Sequence, residues 1–211
     1  RGFTIVELVV VIALLGIISI VTVGFITSTV QGQADMQRRD QLSSSARVAV
    51  ERIAREVRNA LPNSIRVSGA CLEFIPALAA SRYESVPLTV AAASNAFPSV
   101  PFAVEPTGGY IAVYPIDTNR ADGSTAVNPI YDLDGWSIIS PLMASSTLQA
   151  ASGAVSVRLT ANHAFPADSP SQRYFIVDQP VSFCVDGTDL YRYANYGFQT
   201  TQLDTSSSTF S

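Results

Sequence analysis

The 211-residue sequence has no lysine, one histidine, two cysteines and one tryptophan. These shortages exclude several kinds of chemistry. One histidine cannot supply an HExxH pair, two distant cysteines make no CxxC, and no glycine-rich phosphate loop is present. A Cys, His and Asp catalytic arrangement would have to be assembled from His163, in the loop-like "TANHAFPADS", with no motif to support it. The chain therefore reads as non-enzymatic, with no catalytic residue. Without lysine, and with a net charge of -4, it lacks the many cationic phosphate contacts on which sequence-independent nucleic-acid binding rests, so no nucleic acid is expected as a partner.

The charge that is present is unevenly placed. Residues 35 to 66 hold seven arginines against four acids, a net of +3, whereas beyond residue 66 five arginines face twelve acids, a net of -7. Between these charges and the N-terminus lies the largest positive feature of the sequence, "RGFTIVELVVVIALLGIISIVTVGFITSTV". From Leu8 to Ala34, 27 consecutive residues carry no charge. As a helix they span about 40 Å at about 1.5 Å each, more than the roughly 30 Å of a hydrocarbon core. Gly16 and Gly24 are the weak helix formers inside the run before Gly32, and bilayer helices tolerate them. Glu7 is the anomaly. By insertion scales a carboxylate at the centre of a membrane helix costs roughly 2.5 to 3.5 kcal/mol. Either Glu7 is a boundary residue at the headgroups, or something compensates it.

The second stretch, "ADMQRRDQLSSSARVAVERIAREVRNALP", continues as an amphipathic helix. Ala46, Val50, Ile53, Val57 and Ala60 recur at steps of four and three, a stripe suited to burial. Asp35 with Arg39, and Glu51 with Arg55, are spaced for i,i+4 ion pairs, and Pro62 stops the helix after Leu61. The stripe covers only about two heptads, fewer than the three or four that a coiled coil needs. It therefore predicts a helix packed on its own sheet, with a self-associating coiled coil as the alternative.

The third stretch supplies that sheet. "SIRVS", "CLEFI", "YIAVY", "AVSVRL", "RYFIV", "VSFCV" and "LYRY" alternate β-branched and aromatic residues. Asp186 and Gly187 between the last two mark a tight hairpin. The expected class is α+β, a long N-terminal helix packed on an antiparallel sheet, with residues 76 to 109 and 117 to 153 as loops. Cys71 and Cys184 fall in strand-like runs, and with a membrane span ahead of them the head is expected outside the cytoplasm, where disulfides persist. They either pair, closing a loop of about 114 residues, or are two unrelated buried thiols. No cofactor or metal is expected. Asp117, Asn119, Asp122, Asp132 and Asp134 are oxygen donors suited to calcium, but Asp122 sits where an EF-hand loop needs glycine, and turn formation accounts for these residues more simply.

"RGFTIVELVVVIALLGIISI" resembles the start of type IV pilins and type II secretion pseudopilins: a glycine, an aromatic residue, a Thr-apolar-apolar-Glu run and a long apolar helix in that order. The resemblance implies that Arg1 and Gly2 are the remnant of a leader cut by prepilin peptidase after Gly2. Phe3 would then be the N-methylated first residue, and Glu7 the acidic residue used in subunit assembly. It divides the chain into a leader remnant (1 to 2), a transmembrane and assembly helix (3 to 34), an amphipathic continuation (35 to 61) and a β-rich head (62 to 211). Gly24 stands where many type IV pilins carry a helix-kinking proline. The segment "RRDQLSSSARVAVERIAREVRNALPNSIRV" followed by "CLEF" is similar to minor pilins of mannose-sensitive haemagglutinin (MSHA) pilus biogenesis, of the O type. The implied role is a non-enzymatic minor subunit that helps initiate or cap a pilus. Its partners would be other minor and major pilins through the N-terminal helix, prepilin peptidase and the bacterial inner membrane. It would sit there as a single-pass protein with a periplasmic head, and later in the pilus at the cell surface. A J-type minor pseudopilin of type II secretion and a pilus-tip adhesin are the alternatives.

Overall fold

A computed structural model describes residues 2, 4–100, 108–116, 121–124, 128–133, 135–144, 149–151 and 154–210. The contact pattern divides the chain into two units, Arg1–Arg52 and Ile53–Ser211. One α-helix, Ile5–Arg58, runs for 54 residues through Gly16, Gly24 and Gly32 without a break, and none of its residues is buried. Its apolar part has a mean hydropathy of 3.0 over 18 residues, long and apolar enough to cross a membrane. All five hydroxyl side chains between residues 5 and 34 turn back onto the helix. Ser19 donates to the Leu15 carbonyl and Thr22 to that of Ile18, both at 2.7 Å, and Thr27, Ser28 and Thr29 do the same one or two turns later. The helix thereby satisfies these groups internally, as an apolar surrounding demands.

The helix ends three residues before the expected stop at Leu61. Asn59 and Ala60 close the last turn with tighter bonds to Glu56 and Val57, both 3.1 Å, and Leu61 then donates to the Ile75 carbonyl at 2.8 Å. Residues just before a proline are pushed out of the α region, and here the sheet captures them instead. The expected buried stripe is shorter too. Ile53, Val57 and Ala60 pack on Phe74, Val181 and Phe183, whereas Ala46 and Val50 are exposed. On the outer side of the helix, Asp35 pairs with Arg38 at 3.6 Å rather than with Arg39, and Glu51 and Arg55 form no ion pair among the described residues.

Among the described residues all sheet pairing is antiparallel, in three sheets rather than one. The strands are β1 (Arg66–Ser68), β2 (Cys71–Phe74), β3 (Ala77–Arg82), β4 (Ser94–Ser99), β5 (Tyr110–Val113), β6 (Ile139–Leu142), β7 (Gln149–Ala151), β8 (Ala154–His163), β9 (Arg173–Val177), β10 (Val181–Asp186) and β11 (Asp189–Tyr193). One sheet has the order β1-β2-β10-β11, the second β3-β9-β5-β6 and the third β4-β8-β7. The second and third sheets are joined on both sides. Tyr83 bridges to Ser99, flanked by the Val100 to Arg82 hydrogen bond of 2.8 Å, and Met143 bridges to Leu159, flanked by Ala144 to Arg158 at 3.0 Å. Six strands thus close a ring, β3-β9-β5-β6-β8-β4, joined at each seam by one bridge. Its interior holds Phe97, Ile111, Val113, Val157, Phe165, Tyr174 and Ile176. Phe97 meets Phe165 and Tyr174 edge to face, at 6.1 and 5.6 Å, a favoured arrangement of ring quadrupoles.

The whole barrel is inserted between β2 and β10, which are neighbours in the first sheet. Its two ends meet: Ala77 pairs with Val177, and Asp178 donates to the Pro76 carbonyl at 2.9 Å. Parts of the expected loops 76 to 109 and 117 to 153 are strand, namely β3, β4, β6 and β7. The late hairpin is present, with Asp186 opposite Asp189 and a Gly187–Thr188 loop between them. Gly187 is at φ +59, the left-handed region where glycine carries no penalty.

Candidate functional site

Of the residues the N-terminal motif singles out, Gly2 is exposed and lies ahead of the helix, and Phe3 lies outside the described residues. Glu7 sits in the first helical turn, where its backbone N–H donates to the Thr4 carbonyl at 3.2 Å. A carboxylate there faces the positive end of the helix dipole, which favours it by roughly 0.3 to 1 kcal/mol. Its side chain is exposed and has no hydrogen bond or ion pair among the described residues. Around it Ile5, Val6 and Leu8 are all more than half exposed. The apolar segment thus satisfies its own hydroxyls but offers nothing to its single ionisable group. Among the described residues the helix dipole is all that favours this carboxylate.

In the head, Cys71 and Cys184 form a disulfide across β2 and β10, where they are direct Cα partners. It ties the two strands between which the barrel is inserted. The same face of the sheet carries a second carboxylate, Glu73, which is wholly buried. Arg66 on β1 pairs with it through Nε, and Tyr196 donates its hydroxyl at 2.7 Å. Arg66 also donates from Nη2 to the Gln199 carbonyl at 2.7 Å and from Nη1 to that of Thr200 at 2.9 Å. Its guanidinium lies 3.5 Å from the centre of the Tyr131 ring. Burial, with the Glu73 charge adding to it, pushes the Tyr131 and Tyr196 hydroxyls above the ordinary tyrosine range, so both stay protonated as donors. Gln202 adds a bond to the Cys71 carbonyl at 2.9 Å. The C-terminal segment is thus strapped across the sheet by a fully paired network.

Sequence patterns did not single out Glu73. The signal was there in "CLEF", a lone acid in an apolar strand, the β counterpart of Glu7 in its helix. Its cation was local, since Arg66 lies seven residues earlier and faces it across the β1–β2 hairpin; what no local pattern showed was Tyr196, 123 residues away.

The remaining candidates are placed as follows. His163 ends a strand rather than lying in a loop. It is buried, and its Nε2 is 2.9 Å from the Ser137 carbonyl, which requires the proton to be on that nitrogen. Burial, partly offset by this hydrogen bond, lowers its pKa to about 4. Of the oxygen donors considered for calcium, Asp122 accepts from the Ser124 N–H at 2.9 Å and hydroxyl at 2.7 Å, a local turn. Asp132 is buried, and Asp117, Asn119 and Asp134 lie outside the described residues. No group of three or more His, Cys, Asp or Glu placed to hold a metal occurs among the described residues. Compared with known proteins, the chain matches no family model, no curated protein and no solved structure.

Proposed function

We propose that the chain is a subunit of a type IV pilus or related filament, and within that class a minor pilin of the MSHA type that helps initiate or cap assembly. The observation that carries this reading is Glu7, the one ionisable group in an apolar helix that otherwise satisfies itself. Cleavage after Gly2 would leave a cationic Phe3 amine one helical turn before Glu7. In a bundle of such helices the carboxylate of one subunit neutralises the amine of the next, so the cost of burying each charge is offset only on assembly. The helix is thereby an anchor in the bilayer and an assembly element in the filament.

The head supports a minor role. A repeating subunit must pack the same surface against its own copies at every step. Here a barrel is inserted into the sheet, and the residues beyond 66 carry a net charge of -7, so identical heads repel one another while remaining compatible with other subunits. The test is Glu7→Ala in the native host. Membrane insertion is expected to persist, with the protein lost from sheared filaments. Unchanged incorporation would overturn the pairing. Near-equal stoichiometry with the major subunit would overturn the minor role, and loss of enzyme secretion with normal piliation in a deletion strain would move the protein to a secretion system.

A further inference from the structure

The first sheet ends in two edge strands, β1 and β11. β1 is three residues long, and shortness is one way in which an edge avoids pairing with a foreign strand. β11 is five residues long and keeps a regular register with β10, with no bulge, proline or lysine. Its single cation does not guard it either, because Arg192 Nε is turned back onto the helix, where it donates to Glu56 at 3.0 Å.

The hairpin fixes which backbone groups of β11 are free. Asp186 and Asp189 close the two-residue loop as a hydrogen-bonded pair, so Cys184 with Tyr191 and Ser182 with Tyr193 form the next two such pairs. Val185 lies between them and donates the other way, to the Ala70 carbonyl at 3.0 Å. By the same alternation the N–H and C=O groups of Leu190 and Arg192 point away from β10, and no backbone hydrogen bond reaches them from another segment among the described residues. Leu190 and Tyr191 are both exposed, on opposite faces of the strand. The edge is also held in shape: Tyr191 stacks on Tyr193 at 6.1 Å, and Tyr193 on Phe210 at 4.0 Å, which lowers the ordering cost of binding there.

We propose that the outer edge of β11 takes up an extended basic segment of another protein as an added antiparallel strand. The free main-chain groups of Leu190 and Arg192 select a strand, and the neighbouring charges select its side chains. Asp186 and Asp189 are direct Cα partners and both are exposed, an arrangement that destabilises a strand pair. Neither carboxylate has an ion pair among the described residues. A cation on the added strand opposite Asp189 relieves their repulsion, and an apolar residue opposite Tyr191 extends that face. A second copy of this chain fits less well. Pairing β11 with β11 brings no cation to Asp189, because Arg192 lies on the other face of its strand and holds Glu56, and heads with a net charge of -7 beyond residue 66 repel one another. All the residues involved lie in the second unit, so the inference stands apart from the filament reading.

The test is calorimetric titration of the full chain in neutral detergent micelles with the capped peptide Thr-Thr-Val-Val-Arg-Arg, which in antiparallel pairing sets a valine opposite Tyr191 and its first arginine opposite Asp189. Two control peptides accompany it, one with glutamate in place of both arginines and one N-methylated at the second and fourth residues, whose N–H groups would meet the Arg192 and Leu190 carbonyls. Saturable binding of the first peptide is expected, weakening with salt, with each control weaker by roughly tenfold or more. Leu190→Pro removes an outward donor and leaves the β10 ladder intact; it is expected to weaken binding roughly tenfold with little change in melting temperature. Asp189→Asn is expected to weaken it roughly threefold. If Leu190→Pro fails to fold, the N-methylated peptide decides. Absence of saturable binding, or equal binding of the N-methylated peptide, would overturn the strand addition. Equal or tighter binding of the glutamate peptide would overturn the basic character of the partner, and self-association of the chain that Leu190→Pro abolishes would assign the edge to a second copy instead.

Discussion

Glu7 and Glu73 are both lone acids in apolar runs, one in the N-terminal helix and one in the head, and they meet opposite fates. Glu73 is wholly buried, yet it receives a guanidinium from the facing strand of its own hairpin and a phenol from 123 residues away. Glu7 is exposed on an apolar surface and receives no side-chain partner among the described residues. A head that folds on itself must complete its own polar networks, because a buried charge with no partner costs several kcal/mol. A single helix has no second layer from which to draw a partner. The contrast separates a carboxylate that serves folding from one left available for another molecule.

The largest expected effect on the head comes from its covalent tie. Replacing Cys71 and Cys184 with serine removes a crosslink between residues 113 apart. For a loop of that length the chain-entropy model gives a loss of about 4 to 5 kcal/mol. A denaturant titration of the non-reduced protein reads it as a lower midpoint, and an unchanged midpoint would show that the tie contributes little.

Next is Arg66→Ala, which leaves Glu73 buried beside a single phenol and releases the segment around Gln199 and Thr200. The expected loss is about 3 to 5 kcal/mol. Adding Glu73→Gln to Arg66→Ala should restore part of it, because the penalty is chiefly that of an unpaired charge. A double mutant no more stable than the single would break the comparison on the Glu73 side.

A pH titration tests the third buried ionisable group of the head. His163 has a folded pKa lowered to about 4 from 6.5 by burial, so the unfolded chain takes up its proton first as pH falls. Its contribution is fully present above about pH 6.5 and is lost progressively down to about pH 4, for a total of about 3 kcal/mol. Thermal melts of His163→Gln, which keeps a donor for the Ser137 carbonyl but does not titrate, should show a shallower acid limb than the parent. Identical limbs would assign acid sensitivity to other groups.

The smallest expected effect is that of Glu7→Gln on the isolated protein. With no partner to lose, it should change the unfolding midpoint of the head by less than about 0.5 kcal/mol, in contrast to Glu73→Gln. Head destabilisation comparable to that variant would mean that Glu7 has a partner within its own chain.

What the sequence by itself determined are the features set by neighbours along the chain. The 54-residue helix follows from an uncharged aliphatic run joined to a 3–4 stripe. Strands β1, β2, β5, β8, β9, β10 and β11 follow from β-branched and aromatic alternation, and the pairing of the only two cysteines was one of two readings left open. Only the tertiary structure decided the rest. Strands β3, β4 and β6 have the sequences ALAASR, SNAFPS and ISPL, poor in β-formers and containing Pro98 and Pro141, which lack a ladder donor. They are strands because the ring closes through Tyr83 with Ser99 and Met143 with Leu159 and encloses an apolar interior. The phenol that meets Glu73 likewise comes from a segment 123 residues away. Local periodicity shows which face a side chain is on; only the closed fold, where burial makes an unpaired polar group costly, selects what stands opposite it.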